Sequence, residues 1–177
     1  MAAPHTVPSP THPRHLVVIL GDQLDPASAA FDGFQPETDV VWMAEAQEES
    51  THVWSHLARS ALFLAAMRHF RDAQRAQGRS VLYRKLEAPG HTGTLAGELK
   101  AAVRSLRPQK LIMVEPGEWR VAEALRQAAR ACGGLITPVF NRALEPKAAG
   151  SPAGATPGCL HGYRAWRRSR SRQACSR

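Results

Sequence analysis

Leu16-Val17-Val18-Ile19-Leu20-Gly21-Asp22-Gln23-Leu24 decides how the rest of the chain is read. Five apolar residues in a row, rich in Val and Ile, predict a strand buried on both faces, the signature of a parallel sheet. A glycine closes the run, and a carboxylate and a carboxamide follow. In open parallel sheets, ligands sit just past the C-terminal ends of the strands. On that logic Gly21 permits a strained or left-handed turn. Asp22 then offers an acceptor, Gln23 a donor and an acceptor, and the backbone at Gly21 and Leu24 a close approach. The competing reading is an ordinary Asx-type turn that binds nothing.

Downstream, the pattern repeats. Asp39–Glu45 reads as a second strand that also ends in a carboxylate. Gln47 to Thr51 leads into a long helix reaching about Ala76. Ser50 or Thr51 is the expected N-cap, with Glu48 and Glu49 at the positive end of the helix dipole, and Gly78 is the stop. Ser80–Leu86 is the third strand. Thr92 or Thr94 is placed to cap a helix over Leu95–Leu106, which Arg107-Pro108 breaks. Lys110–Glu115 is the fourth strand, followed by a helix from Glu118 to about Cys132. Leu135–Phe140 reads as a fifth strand at an edge, because Pro138 would spoil a central one. The loop between the first two strands has room for a short helix.

Strands alternating with helices predict an α/β fold: a Rossmann-like parallel sheet with helices on both faces, spanning residues 16–140. Asp22, Gln23, Glu45 and Glu115 would all lie on one edge of such a sheet. Residues 1–15 hold four prolines and no hydrophobic segment, and are expected to be a disordered leader rather than a secretory signal. Residues 141–177 form a basic low-complexity tail without sustained periodicity, also expected to be disordered. Such Ala, Gly, Pro, Ser and Arg runs are what a shifted reading frame produces in a GC-rich gene.

The net charge of +8 belongs to that tail. From residue 134 onward there are eight basic residues and one acid, Glu145, leaving the body nearly neutral. The basic balance is therefore no sign that the body grips nucleic acid, although the tail offers phosphates a weak, sequence-blind contact. Cys132, Cys159 and Cys175 are too scattered for a disulfide framework or zinc site and suggest a reducing cytoplasm. No apolar stretch is long enough for a membrane span. His52 and His56 lie four apart on a helix, but no Glu lies between them as in H-E-x-x-H, so packing is expected rather than metal. Trp42, Trp54 and Trp119 read as core and crevice wall. G-x-G-x-x-G, P-loop and G-x-S-x-G motifs are all missing, so dinucleotide, NTP and hydrolase readings lack their mechanical parts.

I-L-G-D-Q-L at 19–24, V-V-W-M-A-E at 40–45, E-E-S-T-H-V-W-S-H at 48–56, A-M-R-H-F at 66–70 and E-P-G-E-W-R at 115–120 occur in this order. Together they resemble the N-terminal domain of the deoxyribodipyrimidine photolyase-related proteins, the iron–sulfur bacterial cryptochromes and photolyases that include the prokaryotic (6-4) photolyases. The likeness covers about Leu16 to Gly133. One departure is Leu57, where the family often has a lysine. The resemblance implies an antenna pigment of the 6,7-dimethyl-8-ribityllumazine type near the strand ends, with Gly21, Asp22, Gln23, Leu24, Glu45 and Glu48 as candidate contacts. It also implies that FAD, the lesion pocket and the 4Fe–4S cluster belong to a helical domain for which this chain has no room. The expected function is thus that of a truncated antenna domain from a light-dependent DNA repair family, inactive in repair by itself, with DNA as partner only of the full-length family. The alternatives are a small-molecule or nucleotide-binding module with no light role, and a nucleic-acid binder acting through its basic tail.

Overall fold

The computed structural model describes residues 10–47, 57–133 and 136–139. The chain divides into two compact units, Met1–Leu144 and Glu145–Arg177, and every described residue belongs to the first. Five strands, β1 (His15–Val18), β2 (Asp39–Ala44), β3 (Val81–Arg84), β4 (Lys110–Val114) and β5 (Ile136–Val139), form one sheet in the order β3-β2-β1-β4-β5. Every pairing is parallel. The helices are α1 (Leu57–Ala76), α2 (Leu95–Leu106) and α3 (Trp119–Arg130), with a 3-10 turn at Ala29–Phe31 in the loop after β1.

The central register explains the apolar runs. Leu16 lies beside Val40 and Leu111, and Val17 beside Val41 and Ile112. Successive side chains alternate between the faces. Leu16, Val40, Trp42, Leu111 and Met113 pack under α2 and α3, against Leu99, Val103 and Leu125. Val17, Ile19, Val41, Met43 and Ile112 pack under α1 and the 3-10 turn, against Met67, Phe70 and Phe31. Both faces are therefore dry, which is why β1 and β2 show no polar alternation. Each fully buried aliphatic side chain of this kind contributes about 1.5–3 kcal/mol.

The local signals act as their chemistry requires. Thr94 caps α2, its hydroxyl accepting from the Gly97 N–H at 3.0 Å. Arg107 ends that helix at φ 47°, just before Pro108, and Gly78 follows α1 at φ 78°. β5, with Pro138, is the edge strand beside β4. The onset of the helix over 50–56, with Ser50 and Thr51, lies outside the described residues, as do most of the leader and the tail. Side-chain contacts to the sheet also come from residues just ahead of Leu16. Arg14 grips the fully buried Asp39 with two bonds, at 3.0 and 2.6 Å, and the His15 and Gln35 N–H groups donate to the same carboxylate. Burial pushes the Asp39 carboxyl up, but these donors outweigh it and hold its pKa below the usual range. This staple closes the edge of the sheet opposite to the one that carries the candidate site.

Candidate functional site

β1 and β4 are neighbours whose chains depart in opposite directions, β1 toward β2 and β4 toward β5. The space above them is the topological switch point of the sheet. The Ile19 N–H still donates to the Trp42 carbonyl at 3.0 Å, and the chain then turns, with the Gln23 N–H donating to the Leu20 carbonyl. This turn lays the Gln23 side chain across the switch point. Its Nε2 donates long bonds to the carbonyl oxygens of Val114 (3.5 Å) and Glu115 (3.4 Å) at the end of β4. Because both neighbours are acceptors, the amide nitrogen must face them and the oxygen must face away. That oxygen, Oε1, is buried and has no partner among the described residues. An orphaned buried acceptor costs about 1–3 kcal/mol, so the place calls for a donor from elsewhere.

Next to it, Asp22 is exposed at the rim. Leu24 packs against the α1 side of the core. Gly21 is buried but is not among the glycines at positive φ. The left-handed turn expected from sequence is replaced by a packing requirement. A Cβ at Gly21 would lie 2.3 Å from Phe63 Cζ and 2.9 Å from Met67 Sδ, both on α1. The glycine lets α1 close over the strand end.

Glu45, at the end of β2, is turned the other way. It is 1% exposed. Its Oε1 accepts from Arg68 Nε at 2.8 Å and from the Tyr83 hydroxyl at 2.7 Å. Its Oε2 accepts from Arg68 Nη2 at 3.1 Å and from the Leu86 N–H at 3.0 Å. Burial raises the carboxyl pKa, but Arg68, the Leu86 N–H and Tyr83 together bring it below the ordinary value. Burial and the neighbouring carboxylate push the Tyr83 hydroxyl well up, so it stays a donor. Glu45 thus binds β2, α1 and the loop after β3 together, and its oxygens are engaged. The structure directs Gln23 toward β4 and Glu45 toward β3, rather than focusing both on one point.

Glu115 pairs with Arg126 of α3. Trp119, expected in the core or crevice wall, is 72% exposed at the start of α3, whereas Trp42 is fully buried. Glu48, His52, Trp54 and His56 lie outside the described residues. Among the described residues, no three His, Cys, Asp or Glu side chains cluster to hold a metal, and no helix is long and apolar enough to cross a membrane. Nothing local in the sequence marks Arg68 and Tyr83 as partners of Glu45. The available signal was an arginine one residue after Met67, at the margin of the apolar face of α1.

The all-parallel sheet with helices on both faces and a switch point between β1 and β4 defines a doubly wound α/β domain. The sequence profile of the deoxyribodipyrimidine photo-lyase-related proteins matches residues 17–142. The chain belongs to this family. It is also 38% identical over 118 residues to a (6-4) photolyase of Agrobacterium fabrum, a match that covers 67% of this chain. The chain spans only 23% of the length of that relative.

Proposed function

We propose that this domain holds the antenna pigment of a photolyase-related protein, a ribolumazine-type ring lodged at the β1/β4 switch point. The observation that carries the reading is the buried, unpartnered Oε1 of Gln23. A lumazine carries an imide N–H at its pyrimidine edge, a donor of the kind this oxygen lacks, and its ring faces need an apolar slot. Family membership supports the same class of ligand. The bound pigment would supply light absorption and through-space energy transfer to a flavin held elsewhere. The chain's own part is to fix the ring. Gln23 orients its polar edge, the exposed Asp22 faces the ribityl hydroxyls at the rim, and Gly21 with Leu24 keeps the floor of the site packed. Glu45 acts as a brace rather than a contact, and Glu48 remains a proposed contact from sequence alone.

The test is titration of the purified chain with 6,7-dimethyl-8-ribityllumazine, followed by ligand fluorescence. Saturable binding that weakens at least tenfold in Gln23→Leu, while the far-ultraviolet spectrum of the protein is unchanged, supports the reading. A folded chain that leaves the fluorescence unaltered overturns it.

A further inference from the structure

The side of α1 facing the open edge of the sheet carries Leu64, Arg68, Arg71 and Arg75, spaced three and four residues apart so that they share one stripe. β3 is the outermost strand on this side, so alternate peptide groups point away from β2. Arg75 covers one of them, its Nη2 donating to the Val81 carbonyl at 3.0 Å. Between the stripe and the loop after β3 lies an open hollow of about 600 Å³, lined by Arg71, Arg75, Tyr83, Lys85, Glu87 and Ala88. A second hollow of about 460 Å³ follows α1 past Ala61, Leu64 and Ala65. Glu87 lines both hollows, so they adjoin in one trough: one end is mainly cationic, and the other mixes Ala61, Leu64 and Ala65 with Arg68, His69 and Asp72.

The charges at the cationic end are poorly matched. Arg71 is held by Asp72 at 2.7 and 2.9 Å and stacks 4.9 Å from the Tyr83 ring centre. Arg75 donates to a carbonyl and forms no ion pair among the described residues, although the Asp72 carboxylate is near enough to feel its charge. The Lys85 ammonium has no partner among the described residues. Glu87 leans toward Arg68 at 3.5 Å and is otherwise open to solvent. A lone surface lysine is usually only solvated. Here an unpaired lysine and an arginine fork instead share one concavity, with the small apolar side chains Ala61, Leu64 and Ala65 further along α1, and phosphate with an attached ring is recognised by such a pairing of cations and apolar surface.

We infer that this trough binds a small phosphate-bearing ligand of the nucleoside diphosphate class. The phosphoryl oxygens accept from Arg75 and Lys85, the sugar hydroxyls donate to Glu87, and the base lies against Ala61, Leu64 and Ala65. The site shares no residue with the pigment site at Gln23, so either can fail without the other.

The experiment is calorimetric titration of the full chain with pyrophosphate and with ADP, at low and at physiological salt. The expected result is saturable binding of both, weakened roughly tenfold or more when Arg75→Gln and Lys85→Gln are combined. Lys85→Gln alone removes no contact within the protein and should shift affinity in the same direction. Glu87→Gln should weaken ADP relative to pyrophosphate. Lack of saturable binding by the unaltered chain overturns the inference. So does affinity unchanged in the double variant, which would move binding to the arginine-rich tail. Retention of oligothymidylate through Arg75 and Lys85 without any response to ADP also overturns it.

Discussion

Arg68 meets the Glu45 carboxylate side-on, Nε on one oxygen at 2.8 Å and Nη2 on the other at 3.1 Å. This pair joins the middle of α1 to the end of β2, and the Tyr83 hydroxyl and the Leu86 N–H complete the ring of donors. It therefore braces the strand-end edge that carries the candidate site without standing beside Gln23.

Glu45→Ala leaves three donor groups without their acceptor. Breaking a buried pair by removing one partner typically costs about 3–5 kcal/mol. The Arg68 side chain is 36% exposed and water can re-solvate it, so the lower end, about 3 kcal/mol, is expected. Urea unfolding followed by tryptophan fluorescence would measure it, and Tyr83→Phe should cost less, because only one donor is lost.

Acid should unfold the domain through its buried carboxylates. Asp39, Glu45 and Glu98 are each held below their ordinary pKa. For Glu98 burial raises the value, and Arg84 with the Thr92 N–H lowers it further than burial raises it. A carboxylate whose folded pKa is depressed adds stability that is full above its unfolded pKa, about pH 4, and is lost as pH falls through the folded value. The stability of the domain should be flat from neutrality to about pH 5 and then fall steeply. In Glu45→Gln the fall should be shallower, because one titrating group is gone. An equally steep decline in that variant would mean that Glu45 takes no part.

Gly21→Ala tests close packing rather than backbone freedom. Its Cβ would press into Phe63 and Met67. Overpacking of this kind costs about 1–3 kcal/mol. Phe63→Leu in the same chain should recover much of the loss, since it removes the nearest ring atoms. Melting temperatures of the single and double variants decide between overpacking and a backbone effect, which Phe63→Leu would not relieve.

Gln23→Glu is the sharper test of the switch point. It replaces the Nε2 donor with a carboxylate oxygen facing the Val114 and Glu115 carbonyls. We expect loss of lumazine binding together with a lower melting temperature, whereas Gln23→Leu loses binding with a smaller change in melting temperature, since the orphaned Oε1 and the two long Nε2 bonds leave together and no like charge faces the carbonyls.

Illumination of the purified chain with ultraviolet-damaged DNA should leave the lesions in place, because the proposed role ends at light capture and energy transfer. Quantifying photoproducts before and after illumination checks this, and their disappearance would place repair chemistry in the residues of this chain.

Much of the architecture is legible in local chemistry. The runs at 16–20 and 39–44 are apolar at every step because both sheet faces are covered, so a two-sided parallel sheet follows from composition alone. Thr94, Arg107-Pro108, Gly78 and Pro138 mark boundaries through hydrogen-bonding and dihedral limits that act within a few residues. The direction of a side chain beyond the strand end is another matter. Glu45 and Gln23 look alike in sequence, each a polar residue just past an apolar run, yet one is consumed by Arg68 and the other is left with an open acceptor. Arg68 lies 23 residues from Glu45 and Tyr83 lies 38 from it. Gly21 likewise shows its purpose only once α1 lies over it.

The amino-acid order by itself determined the class of fold, the family likeness and which polar residues fall at the strand ends, because periodicity, capping and strand-end chemistry are short-range. Only the tertiary structure decided which polar groups at those ends remain free. That depends on which helix packs above each strand end, and so on contacts between residues far apart in the chain.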